Sequence, residues 1–447
     1  MRLRFAICLV LACFVAGLHA RQAAQPGEPL TIALTGDSII MQRVSVYKEP
    51  ESTRLFDLIR GADAAFTNLE TLLHDYEMPP AHESGGTWMR TDPALIKEIT
   101  WAGFDMVSRA NNHAGDFGVP GAQMTSKYVR EAGLVEAGVG NSLAEAREAK
   151  FLETPKARIA LISAASTFTP HSRAGNTRGD MPARPGLNPL RFTTTYIVTP
   201  ERLADLRRVN SELTGNPPGT GESFNFGGRR YIAGPKPGTR TEPNKEDVEE
   251  IARVVRSAKA LADIVIVSLH CHESGANRSV PADFIATFAH AVVDAGADVF
   301  VGHGPHVLRG IEVYKGKPIF YSLANFIFQN ETVLRMPEDG YEEYSLRDDA
   351  QMVDYLDARY DHDKRSFPAD REYWDSVAVV TKWQDKKFVE AQLHPITLGF
   401  GKSRAERGRP KLASGADAVR ILEMMTTRSK AFGAPVTIQN GIGIVRP

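Results

Sequence analysis

Short apolar runs alternate with amphipathic segments along most of this chain. Leu30–Thr35, Ala64–Leu69, Met106–Arg109, Val135–Ala137 and Ile159–Ala164 are aliphatic and β-branched, and predict strands. Between them, Thr53–Arg60, Pro93–Ala102, Gly121–Ala132 and Leu143–Ala149 carry apolar residues at helical spacing. The second half repeats the style, with helix Asn244–Ala262, buried strand Ile264–Leu269, helix Ala282–Ala295 and strand Asp298–Val301. Glu312–Tyr314 and Pro318–Ser322 flank the turn Lys315-Gly316-Lys317 as a hairpin. Ser376–Trp383 and Phe388–Leu393 predict a last strand pair before a C-terminal helix, Ser414–Lys430. Such alternation implies an α/β fold.

Two stretches break the pattern. His171–Lys245 is rich in Gly, Pro and Arg and carries a local charge of +6; Glu331–Asp375 carries −8. Connections this long are functional lids, binding loops or mobile segments, and the competing reading of each charge run is a solvated surface. The cations of the first stretch are mostly Arg, whose planar fork suits carboxylates and phosphates. Arg184 and Arg191 bracket Pro185-Gly186-Leu187-Asn188-Pro189, whose prolines limit the conformations available, and are the expected polyanion contacts.

Composition adds three constraints. A chain of 447 residues, 43% hydrophobic, can bury a sizeable core in one large domain or two. Its net charge of −1 gives no global pull toward nucleic acid. Met1–Ala20 (Arg2 and Arg4, the apolar run Phe5–Leu18, then Leu18-His19-Ala20) has the pattern of a secretory leader. A periplasmic or extracellular location is therefore expected. Lipid anchoring at Cys13 is the lesser alternative, because the sequence after it stays apolar. After cleavage only Cys271 would remain, so no internal disulfide is expected.

The chemistry gathers at the ends of the predicted strands. Thr35-Gly36-Asp37, Asn68-Leu69-Glu70, Asn111-Asn112-His113, His270-Cys271-His272-Glu273 and Gly302-His303-Gly304-Pro305-His306 each place polar residues just past an apolar run. Open α/β sheets bind ligands at that edge, and imidazole is the commonest metal ligand. Five tips bearing only Asp, Glu, Asn and His ligand types point to a dinuclear metal site. Each tip has a plainer reading: a capping Asp37, a surface Glu70, an Asn-stabilised turn at Asn112-His113, a satisfied core His270, a decorative surface turn at His303–His306. Glu70 could bridge two cations, Asn112 offers a neutral carbonyl, and His113 is free to donate a proton. In extended geometry His270 and His272 share a face while Cys271 points away. That makes His272 a second possible ligand if the strand continues so far, ranked behind His270, which is nearer the apolar run. Otherwise His272 and Glu273 support the ligands or face the substrate, and Asn325 is expected to orient a loop.

In this order, Gly36-Asp37, Asn68-Leu69-Glu70, Ala110-Asn111-Asn112-His113, His270, Gly302-His303-x-Pro305-His306 and Ser322-Leu323-x-Asn325-Phe326 resemble the CapA family. These are capsule or poly-γ-glutamate synthesis proteins whose fold resembles the calcineurin-like metallophosphoesterases. The resemblance implies an αββα sandwich of two mixed sheets flanked by helices over residues 30–436, with 171–245 and 331–375 as long insertions. It also implies two divalent cations (Mn, Fe or Zn), with Asp37 and His306 on one and Asn112, His270 and His303 on the other. Glu70 would lie between them and His113 would face the leaving group. Ile39 stands two residues after Asp37, where full metallophosphoesterases carry His. Cys271-His272-Glu273 replaces the usual aromatic-Gly-x-Glu.

The function expected from this is metal-dependent action on an anionic polymer in capsule or poly-γ-glutamate synthesis or hydrolysis. Membrane subunits of a capsule synthase are possible partners. A non-catalytic polymer-binding or export subunit, and a free-standing periplasmic phosphoesterase, are the alternatives.

Overall fold

The computed structural model describes residues 28–447; the leader expected at Met1–Ala20, with Cys13, lies outside the described residues. Two large mixed sheets organise the chain. In the ten-stranded sheet, Leu30–Ile39, Ala64–Leu69, Met106–Ser108 and Val135–Ala137 run parallel in chain order. Asp375–Gln384 then pairs antiparallel with Leu30–Leu34, and Lys387–Thr397 and the terminal hairpin Thr437–Gln439/Ile442–Val445 extend that side. In the six-stranded sheet, Arg158–Ala165, Ile264–His270, Val299–His303 and Lys317–Phe320 are parallel, with antiparallel edges at Lys150–Glu153 and Ile311–Tyr314.

Side-chain alternation sets the layers. Ile32 and Leu34 of one sheet share an apolar cluster with Ile264, Ile266, Val299 and Val301 of the other. The intervening residues face outward. Ala33, Ala65 and Val107 pack on helices Pro50–Arg60 and Ile96–Ala102. Val265, Val267 and Phe300 pack on helices Lys245–Lys259 and Asp283–Asp294. Every residue of Ile264–His270 is buried, as expected of a parallel strand covered on both faces.

The two charged stretches are structured rather than long bare loops. Within the basic one, Phe192–Val198, Ser223–Phe226, Arg229–Ala233 and Gly238–Pro243 form a four-stranded sheet of their own. Its helix Pro200–Thr214 starts with Pro after the N-cap Thr199 and ends at left-handed Gly215. The acidic stretch holds helix Met352–Tyr360, whose Tyr355, Leu356 and Tyr360 pack with Leu72, Trp88 and Phe117. Among the described residues no helix is long and apolar enough to cross a membrane.

Candidate metal centre

Where both parallel strand sets end, their polar tips converge. Leu30–Ile39 changes partner at this point, pairing with Asp375–Gln384 over its first half and with Asn325–Phe328 from Asp37 onward. The change occurs at Gly36, where a Cβ would stand 1.8 Å from the carbonyl oxygen of Ala324. Only glycine permits that approach, and it lets the Asp37 N–H donate to Ala324 at 2.8 Å. The Asp37 carboxylate then accepts from Asn68 Nδ2 and from the Gly304 N–H, each at 2.9 Å.

The other sheet contributes imidazoles. His270 and His303 are register partners on adjacent parallel strands, with their Nδ1 atoms 3.0 Å apart. His303 Nε2 lies 2.7 Å from Ser268 Oγ. His306 adopts φ +58°, a left-handed conformation that costs a non-glycine residue on the order of 1 kcal/mol. Asn325 holds it there: its Oδ1 lies 2.8 Å from His306 Nδ1, and its Nδ2 donates to the His306 carbonyl at 3.3 Å. Thus Asn325 orients a loop, as expected, and the loop is the one that carries a candidate ligand.

Glu70 is fully buried, and neither of its carboxylate oxygens has a hydrogen-bond partner. Its Oε1 lies 3.7 Å from His270, 3.8 Å from His306 and 3.9 Å from His113. Asn112 is similar: Nδ2 donates to the Gly85 carbonyl at 2.9 Å, leaving its buried Oδ1 unpartnered. Buried polar atoms are almost always paired, and orphans of this kind mark places where a cation fits. The ligand atoms fall into two close sets, Asp37 with His270 and His303, and Glu70 with His272 and His306, each within 4.8 Å.

The buried carboxylates and imidazoles are shifted in different directions here. Burial alone would raise the Asp37 pKa, but the adjacent His303 and His306 imidazoles outweigh it and hold the group well below the carboxylate range. Glu70 has no such donors, so burial and then the Asp37 charge push it well upward. Burial drives His270 well below its ordinary value and His272 down to about 3. Neutral imidazoles present lone pairs, the form that binds metal.

His113 stands at the rim. Its Nδ1 lies 2.7 Å from Asp116 Oδ2, and Asp116 also accepts the backbone N–H groups of Gly85 and Met89. That pairing turns Nε2 toward Glu70. Asp116 was not anticipated from the sequence, although a carboxylate three residues beyond a candidate acid was a signal to use.

A cavity of about 330 Å³ opens beside the cluster, lined by Asn112, His113, His272 and His306, with Arg278, Arg359, Phe367 and Tyr373 opposite. Arg278 is paired with Asp370 and Glu372. Arg359, from the acidic stretch, donates to the Gly86 carbonyl, Thr87 Oγ1 and Tyr355 OH at 2.6–2.9 Å, all neutral acceptors. Sequence reading missed it because its neighbours are acidic.

The structure therefore brings Asp37, Glu70, Asn112, His113, His270, His272, His303 and His306 together. It does not bring Glu273, Arg184 or Arg191 to the cavity. Glu273 accepts from Ser166 Oγ and Thr167 Oγ1 at 2.6 and 2.8 Å. Arg184 is exposed and donates to the Arg173 carbonyl at 2.9 Å. Arg191 makes two side-chain bonds to buried Asp247, at 2.7 and 2.8 Å.

The family described as bacterial capsule synthesis protein PGA_cap matches residues 31–330, a span containing every member of the cluster. The chain belongs to this family. It is 38% identical to the uncharacterized protein y4sH of Sinorhizobium fredii over 94% of this chain and 93% of that one. It is 24% identical to the capsule biosynthesis protein CapA of Bacillus anthracis, over 78% of this chain and 72% of that one. With the PGA biosynthesis protein CapA of Bacillus subtilis it shares 27% identity, over 72% and 71%. The solved NAD nucleotidase of Haemophilus influenzae aligns over 89% of this chain and 56% of that one, at TM-score 0.34 and 10% identity. The PGA_cap match ends at residue 330, so the acidic stretch with Arg359 lies beyond it.

Proposed function

We propose that this PGA_cap member is a metal-dependent hydrolase or transferase of the cell envelope, acting on an anionic polymer of the poly-γ-glutamate type. The observation that carries the reading is the unpartnered Glu70 carboxylate beside the unpartnered Asn112 Oδ1, inside a ring of buried imidazoles. Layering of helices outside two packed sheets supports a sandwich of metallophosphoesterase type. Asp37, His270 and His303 would hold one cation and Glu70, His272 and His306 the other, with Asn112 offering its free Oδ1 beside them. His272 then supplies the imidazole that Ile39 does not. Two divalent cations (Mn, Fe or Zn) bound there would polarise the scissile group and activate water near neutral pH.

The remaining roles belong to the chain's own side chains. Asp116 fixes the His113 ring so that Nε2 can hand a proton to the leaving group. Arg359 attracts an anionic substituent of the substrate, and Phe367 and Tyr373 limit water access to that side of the cavity. The capsule and PGA biosynthesis named for the Bacillus relatives supports a polymeric substrate. The leader pattern at Met1–Ala20 supports export. Metal content of the purified protein, measured together with turnover of phosphate monoesters and of poly-γ-glutamate, tests the reading. We expect bound metal and changes in polymer length. One observation favours a second reading, a polymer-binding subunit without turnover: the apolar Ile39 lines the cavity where a ligand would be useful. Bound polymer with neither activity would select it, and activity confined to phosphate esters would select a free-standing phosphoesterase.

A further inference from the structure

A second group of metal-ligating side chains lies outside the cavity. His82 and Glu83 come from the loop before Gly85, and His171 from the short turn Pro170–Ser172 that opens the basic stretch. Their ligand atoms lie within 4.8 Å of one another. Glu83 Oε1 is the hub, 3.5 Å from His82 Nε2 and 3.9 Å from His171 Nδ1.

The hydrogen bonding of His171 decides its tautomer. Its Nε2 lies 3.0 Å from the carbonyl oxygen of Gly115, which can only accept, so Nε2 carries the proton. Nδ1 of the neutral ring is then a bare lone pair, and this atom is buried with no hydrogen-bond partner. A ring whose far N–H is anchored on a backbone carbonyl while its other nitrogen stays free is the usual arrangement of a metal-ligating histidine. Gly115 makes the anchoring possible, since a Cβ there would stand 2.5 Å from Ser172 Cβ and 3.1 Å from His171 Nε2.

We propose that His82, Glu83 and His171 bind a zinc ion, with water completing a tetrahedral set. Two imidazoles and one carboxylate suit Zn²⁺ better than Mg²⁺ or Ca²⁺, which prefer all-oxygen shells. The ion ties the Gly85 loop to the turn that carries Asn112 and His113: Gly85 accepts from Asn112 and donates to Asp116, and Gly115 follows His113 by two residues. It acts as a clamp on the rim, with no part in bond cleavage.

Zinc uptake by the full chain tests this in a Glu70→Ala/His303→Ala background, which removes the candidate dinuclear centre. One equivalent of Zn²⁺ per chain is expected to remain at micromolar free metal. It should disappear on adding either His82→Ala or His171→Ala. His82 has 79% of its side chain exposed, so its replacement leaves the fold intact. Co²⁺ substituted into the same background should show the absorption of a tetrahedral site, lost in the same variants. Absence of zinc uptake in the background protein overturns the proposal, as does uptake that neither histidine variant reduces. Both outcomes are independent of whether the cavity is catalytic.

Discussion

The basic and acidic stretches carry opposite charge, and their placement reverses what charge alone suggests. Residues 171–245, at +6, contribute no side chain to the lining of the cavity. Residues 331–375, at −8, contribute Arg359, Phe367 and Tyr373. Placement explains the reversal and pairing only adds to it, since Arg184 meets a neutral carbonyl yet lies away from the cavity. Arg191 is taken up by Asp247, Arg178 by Asp180 and Arg208 by Asp205. The acidic stretch is neutralised from outside, with Glu331 bound by Arg407, Asp363 by Arg404 and Asp375 by Arg420. Arg359 meets only neutral acceptors among its described hydrogen bonds, so its charge remains available to a ligand. Net charge over a segment is thus a poor guide to the field at a site, because short-range partners dominate it.

The comparison can be broken or sharpened by experiment. Removing the cluster that the acidic stretch covers should have the largest effect. Glu70→Ala and His303→Ala should each lose metal, by elemental analysis, and reduce turnover to background with circular dichroism unchanged. Retained stoichiometry in both would detach the cavity from metal chemistry. His113→Ala should keep its metal and lose turnover by a factor of about 10²–10⁴, the usual contribution of a positioned acid.

Arg359→Gln then sets the two stretches directly against each other. A charged hydrogen bond of about 1.5–3 kcal/mol corresponds to a rise in KM for the anionic substrate of roughly 10- to 100-fold. Arg184→Gln/Arg191→Gln should leave KM and its salt dependence unchanged. A salt slope that falls only in the second variant would return the polyanion to the basic stretch. The loss of Arg191 should instead appear in thermal or denaturant melts, as about 1–3 kcal/mol, because the buried Asp247 carboxylate is left with Arg147 and the backbone N–H of residue 191.

The effect farthest from turnover concerns the apolar cluster beneath the acidic stretch. His74 packs its buried ring on Phe117, 4.2 Å between centroids, and burial lowers its pKa from the ordinary 6.5 to about 4. The unfolded chain therefore binds a proton before the folded one does. The contribution of the neutral ring is complete above about pH 6.5 and is lost as pH falls toward 4. Its share of the slope is at most about 1.4 kcal/mol per pH unit. Denaturant titrations of the parent and of His74→Gln across this range should differ by that slope.

Much of the framework was legible in one dimension. Strand positions follow from apolar runs such as Ile264–Leu269, and the tips carrying Asp37, Glu70, Asn112, His270 and His303 follow directly after such runs. Parallel strands end on the same side of a sheet, which gathers the tips of each sheet, while the packing of the two sheets brings the two groups together. A helix start was equally readable at Asn244, whose side chain caps Asp247 N–H, and a hairpin at the Lys315-Gly316-Lys317 turn. The strand Asn325–Phe328 was less legible: four residues after a turn resemble loop, and only its register with Asp37–Ile39 makes it a strand.

By itself the sequence determined the alternation of strands and helices, the strand tips that converge, and the chemical types they carry, because side-chain period and turn residues are local properties. Tertiary structure alone decided which polar atoms were left without partners, which arginine kept its charge available, and that His272 returns to within 3.0 Å of His270. Each of those depends on what other segments place within a few ångströms. Nothing in the spacing of Arg359 or Glu70 along the chain encodes the neighbours that satisfy one and leave the other bare.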